Sequence, residues 1–82
     1  MLRDVGRRIA ELRSDRGLTQ ERLAELVDVS TRYLQRVERG GASASLLFLA
    51  RVAETLGAKM PDLFEAPRSR DVKVGRPKRP KS

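Results

Sequence analysis

The sequence predicts an all-α domain of five short helices, residues 1–66, followed by a disordered basic C-terminal tail, residues 67–82. Three observations predict it. Apolar residues recur at helical spacing through the first part. Thr, Ser, Asp and Gly punctuate those runs where helices start and stop. Nothing alternates with period two for long enough to make a strand.

Val5, Ile9 and Leu12 fall at i, i+4 and i+7, one face of a first helix over about residues 4–16, and Gly17 closes it. Thr19 is the N-cap of a second helix, with Glu21 near its positive end and Leu23, Ala24 and Val27 on its inner face. Asp28-Val29 interrupts, and Ser30 caps a third helix that runs to about Glu38 with Leu34 and Val37 inward. Gly40-Gly41 end it, and a loop leads to Ser45, the next cap. A fourth helix over about 46–56 carries Leu46, Leu49, Ala53 and Leu56 on one stripe, with Gly57 as its stop. Pro61 suits the first turn of a short fifth helix whose Leu63 and Phe64 close the core.

Composition narrows the function classes. Eighty-two residues allow one modest core and no separate catalytic or ligand-sensing domain. Cysteine and histidine are absent, which removes disulfides, thiolate chemistry, the usual zinc sites and the usual general base. No carboxylate pair occupies a plausible cleft, so neither an enzyme nor a cofactor or metal is expected. No window approaches the ~20 apolar residues of a membrane span, and the start of the chain lacks the apolar stretch of a signal peptide. A cytoplasmic protein, associated with the nucleoid when bound to DNA, is expected. The net charge of +7 is unevenly placed. Residues 1–66 hold eleven Lys/Arg against ten Asp/Glu, and residues 67–82 hold seven against one. Attraction to a polyanion therefore has a diffuse part in the tail and a patterned part on the body.

The pattern sits on the third helix. Only about three residues separate it from the second, and such a turn forces a steep crossing, the helix-turn-helix arrangement. In that arrangement one helix braces on the phosphate backbone and the next projects into the major groove. The third helix has the apolar back and donor-rich front this needs: Thr31, Arg32, Gln35 and Arg36 point away from Leu34 and Val37.

The run Gly17-Leu18-Thr19-Gln20-Glu21-Arg22-Leu23-Ala24, then Val29-Ser30 and Val37-Glu38-Arg39-Gly40, resembles the phage-repressor and Cro type of helix-turn-helix (XRE-type transcriptional regulators). Leu49 to Gly57 and Met60-Pro61-Asp62-Leu63-Phe64 resemble that family's fourth and fifth helices, so the likeness spans about residues 5–65. The resemblance implies a lambda-repressor-like fold and a set of DNA-binding residues. Gln20 matches a position that contacts phosphate and orients a reading side chain. Thr31, Arg32 and Arg36 match positions that meet base edges, with Ser30 at the helix start. Tyr33 and Gln35 lie at the margin, Tyr33 either packed on the second helix or touching backbone sugar. Arg39 and the loop Gly40 to Ser43 match the segment that approaches the backbone, and Arg13 and Glu38 match a structural pair tying the first helix to the third. Two departures stand out: Asp28 replaces the usual Gly of the tight turn, and Ala44 stands where a loop proline is frequent.

Leu47 and Phe48 lie off the expected inward stripe, and neighbouring exposed apolar residues on a small protein usually have a partner. They are expected to form a homodimer interface, with extra core as the alternative. In the tail, Gly75-Arg76-Pro77 flanked by basic residues resembles an AT-hook, although Val74 replaces the usual preceding arginine. The alternative is a generic polybasic tail. The leading functional expectation is a sequence-specific regulator that binds double-stranded DNA as a homodimer on an inverted repeat. The competing one is a protein-interaction module, an antitoxin that binds a toxin partner and autoregulates its promoter. A single-strand binder needs more exposed aromatics than Tyr33, Phe48 and Phe64 supply.

Overall fold

The computed structural model describes residues 2–68, so Arg76 and the rest of the AT-hook-like run lie outside the described residues. Four α-helices follow in order: α1 (Leu2–Asp15), α2 (Gln20–Leu26), α3 (Thr31–Glu38) and α4 (Leu46–Leu56). The expected fifth helix is a single 3₁₀ segment, Met60–Phe64. There is no strand among the described residues. None of their helices is long and apolar enough to cross a membrane.

At seven and eight residues, α2 and α3 are too short to persist alone, since isolated helices need about 12–15 residues. Caps and packing hold them. Thr19, Ser30 and Ser45 each have extended backbone and accept a hydrogen bond from the N–H three residues on: Arg22, Tyr33 and Phe48. The other ends share one solution. Each α-helix is followed by a residue with positive φ, Gly17, Asp28, Gly40 and Gly57. The next N–H then bonds back to a carbonyl five residues earlier: Leu18 to Arg13, Val29 to Ala24, Gly41 to Arg36 and Ala58 to Ala53. Only Asp28, at φ 63°, carries a side chain there. The turn between α2 and α3 thus keeps the geometry that glycine normally supplies.

One core lies between the helices, and each element sends a wholly buried side chain into it: Ile9, Leu23, Leu34, Val52 and Leu63. Each such burial is worth about 1.5–3 kcal/mol relative to exposure. α1 packs closely on the end of α3 because Gly6 has no Cβ; one built there would lie 2.1 Å from the Val37 carbonyl oxygen.

Three expectations are corrected. Leu46 does not belong to the inward stripe of α4, being 70% exposed. Phe48 does, at 6% exposed, so it is core rather than interface. Four consecutive apolar residues, Leu46 to Leu49, leave the rotation of the helix undetermined by periodicity; in the fold Phe48 joins Leu49, Val52, Ala53 and Leu56 on the buried face and meets Tyr33. Phe64 is half exposed; in the 3₁₀ segment Leu63 is the buried residue, and Met60 packs partly against the core. The packed body also reaches Arg68, two residues into the segment read as tail. Pro67 is buried, and the Arg68 guanidinium lies 3.1 Å from Asp15 and 3.6 Å from Glu11 on the outside of α1.

Candidate nucleic-acid interface

α3 divides cleanly into two faces. Leu34, Val37 and Glu38 are buried. Arg32, Arg36 and Arg39 are exposed, and Thr31 and Gln35 are half-buried beside them. At 100° per residue, positions 31, 32, 35, 36 and 39 fall on one side of the helix. Three guanidiniums thus stand on a rigid rod whose back is locked in the core. Their charge is not consumed by the protein: no ion pair among the described residues uses Arg32, Arg36 or Arg39. Arg36 makes only a long contact, 3.5 Å, to the Gly41 carbonyl oxygen. Such donors, forked and planar, suit either guanine edges or phosphates.

Below this row lies a polar relay. Glu38, with its side chain 6% exposed, accepts Arg13 Nε at 2.8 Å through Oε2. Its Oε1 accepts Gln20 Nε2 at 2.9 Å and Arg13 Nη2 at 3.2 Å. The Gln20 side-chain oxygen Oε1 in turn accepts from Gln35 Nε2 at 3.4 Å. Arg13 also donates to the Leu18 carbonyl at 2.7 Å. The first residue of α2 and the last residue of α3 are therefore set relative to one another through one carboxylate, with α1 as the third support. The Arg13–Glu38 pair is found as the resemblance implies. Glu38's hold on Gln20 is not legible in the sequence. A charged residue at an inward slot, one after Val37 and four after Leu34, is the signal that marks Glu38 as a hub.

Tyr33 is half-buried and packs against the core. Its ring meets Phe48 of α4 edge-on, with centroids 5.3 Å apart and planes at 79°. Its hydroxyl donates to the Ser43 carbonyl at 2.7 Å. Tyr33 therefore pins the loop that follows α3, where Ala42 and Ala44 also pack on the core. Ser30 is occupied as an N-cap acceptor, which leaves its own O–H free to donate outward. Leu47, 64% exposed, stands apart from the row on α4, next to exposed Leu46 and above a hollow of about 170 Å³ lined by Val27, Val29, Phe48 and Arg51. Among the described residues no group of carboxylates forms a metal-binding cluster.

Two short capped helices joined by a tight turn, the second with a buried back and a cationic front, define a helix-turn-helix DNA-binding domain. The chain belongs to the helix-turn-helix domain family, whose model matches residues 4–66. It is 43% identical over 56 residues to the immunity repressor protein of Bacillus phage phi105, covering 68% of this chain and 39% of the repressor. The restriction-modification controller protein C.AhdI from Aeromonas hydrophila has a similar structure, with a TM-score of 0.74 and 38% identity, over 77% of this chain and 91% of that one. So does SinR, a master regulator for biofilm formation solved in complex with DNA, with a TM-score of 0.70 and 31% identity, over 74% of this chain and 98% of SinR. The chain spans between 11% and 45% of the length of the first curated relatives it matches.

Proposed function

We propose that this chain is a transcriptional regulator that recognises a specific double-stranded DNA sequence by laying α3 in the major groove. The observation that carries the reading is the row of Thr31, Arg32, Gln35, Arg36 and Arg39 on one face of a helix whose other face is buried. Thr31, Arg32 and Arg36 meet base edges, Gln20 and Arg39 hold phosphates on either side, and Tyr33 and Ser30 set the helix and the loop against the backbone. Two copies bind an inverted repeat, with their α3 helices about 34 Å apart, one turn of the duplex. The exposed leucines of α4 form the contact between copies.

Selection of the purified full chain on randomised duplexes tests this. A discriminating site with two related halves is the expected result. On that site Arg36→Ala costs about 1–3 kcal/mol and relaxes preference at one base pair. A loss that is even across all sequences assigns Arg36 to phosphate instead. Absence of any enriched sequence overturns the reading.

A further inference from the structure

We infer that Gln35 is a further base-reading residue, whose side-chain amide is held in one orientation by the buried Glu38 carboxylate, through Gln20, and so selects adenine. This rests on α3 lying in the major groove, as proposed above, and names the base that one more residue of the row takes.

The orientation is set from the inside outward. Glu38 is paired with the Arg13 guanidinium at 2.8 Å, so it is a carboxylate and can only accept. The Gln20 group 2.9 Å from Glu38 Oε1 must therefore be its NH2, which turns the Gln20 oxygen away from Glu38. That oxygen meets Gln35, and again only an N–H fits: Gln35 Nε2 lies 3.4 Å from it. The last link is long, and the alternative decides it. Turned round, Gln35 would set its own carbonyl oxygen against that of Gln20. Each hydrogen bond of the series thus donates toward Glu38.

What remains unused is an ordered pair of groups. Among the described residues no protein group bonds Gln35 Oε1, and the second hydrogen on its Nε2 is likewise unclaimed. Gln35 is half-buried, with Arg32, Arg36 and Arg39 exposed around it. A duplex seated on that row displaces the water over Gln35, and an acceptor then left without a donor is penalised.

The chemistry of the duplex narrows the partner. Phosphates and deoxyribose carry no hydrogen donor along the strand, so the backbone cannot satisfy the Gln35 oxygen. In the major groove the donors are adenine N6 and cytosine N4. Adenine sets its N7 acceptor beside the amino group, where it takes the second Gln35 N–H; cytosine has no acceptor there. Guanine O6 and thymine O4 would face the Gln35 oxygen with another oxygen. The neighbouring arginines have donors only and suit guanine, so the row distinguishes the two purines by opposite polarity.

The test uses the full chain and the site it selects from randomised duplexes. Each adenine is replaced in turn by 2-aminopurine, which moves the amino group from the major to the minor groove, and by 7-deazaadenine, which lacks N7. At one adenine the full chain is expected to lose at least about fivefold in affinity with 2-aminopurine, the lower end of what a bidentate base contact discriminates, and to lose affinity with 7-deazaadenine as well. In Gln35→Ala, which puts a good helix former in α3, the 2-aminopurine effect is expected to fall below about twofold. Gln20→Ala unhooks Gln35 from Glu38 and is expected to weaken binding to all duplexes and also to shrink the ratio between adenine and 2-aminopurine. The ratio is read within one variant, so a change in stability cancels. A ratio unchanged in Gln20→Ala overturns the orientation by Glu38. A site whose adenines all tolerate 2-aminopurine, or lose equally in Gln35→Ala, overturns the reading of adenine by Gln35 and leaves α3 as the reading helix. Absence of any enriched site takes α3 out of the groove, and the role of Gln35 falls with it.

Discussion

Arg13 and Glu38 lie 2.8 Å apart in a nearly closed environment, their side chains 17% and 6% exposed. This one pair joins α1 to the end of α3 and, through the other carboxylate oxygen, to Gln20 of α2. Removing one partner strands a buried charge. Arg13→Met is therefore expected to lose about 3–5 kcal/mol in urea denaturation. Replacing both, with Arg13→Met and Glu38→Leu together, is expected to recover most of that stability, because the desolvated carboxylate goes too. A double variant as unstable as the single one would show that the cost lies in packing rather than in charge.

Gly6 sets the distance between α1 and α3. Alanine is the better helix former by about 1 kcal/mol, so propensity alone predicts that Gly6→Ala stabilises. A Cβ there meets the Val37 oxygen at 2.1 Å and the Glu38 oxygen at 2.9 Å, both backbone atoms. Backbone cannot swing aside as a side chain does, so the contact wins. Gly6→Ala is expected to destabilise by about 1–3 kcal/mol and to weaken DNA binding by tilting α3. Thermal unfolding of the variant checks the sign.

Asp28 holds a left-handed conformation at φ 63° in the turn between α2 and α3. Aspartate tolerates that region better than most residues but less well than glycine. Asp28→Gly is expected to raise stability by about 0.5–1 kcal/mol, part of the gain being offset by the freer unfolded chain. Asp28→Val, branched at Cβ, is expected to lower it by more than about 1 kcal/mol. Melting temperatures in the order Gly, Asp, Val support the turn geometry; any other order counts against it.

Leu47 stands 64% exposed on α4. Leu47→Glu is expected to change the stability of the fold by no more than about 0.5 kcal/mol and to shift the chain toward monomer in sedimentation equilibrium. Phe48→Glu is expected to unfold it, since Phe48 is core. A Leu47→Glu chain that self-associates as before would assign the exposed leucines to some other protein.

Local signals were legible in the sequence because their cause is local. The caps Thr19, Ser30 and Ser45 and the left-handed positions Gly17, Asp28 and Gly57 act within a few residues of themselves, and the structure has each of them as the sequence predicts. The two faces of α3 were legible for the same reason: apolar and charged residues separate at the helical period. Where four leucine and phenylalanine residues run together, from 46 to 49, composition is silent on rotation, and the prediction put Leu46 inside and Phe48 outside.

By itself, then, the chain's order of residues determined the helices, their ends, the helix-turn-helix and its cationic front, all of which follow from spacing of 3–5 residues. Only the tertiary structure decided what meets across the core: Phe48 under Tyr33, Glu38 shared by Arg13 and Gln20, Gly6 against the end of α3, and Arg68 on Asp15. Those contacts join residues 15 to 53 positions apart along the chain. Which distant side chains share a site depends on how whole helices pack, a property that periodicity within any one helix does not contain.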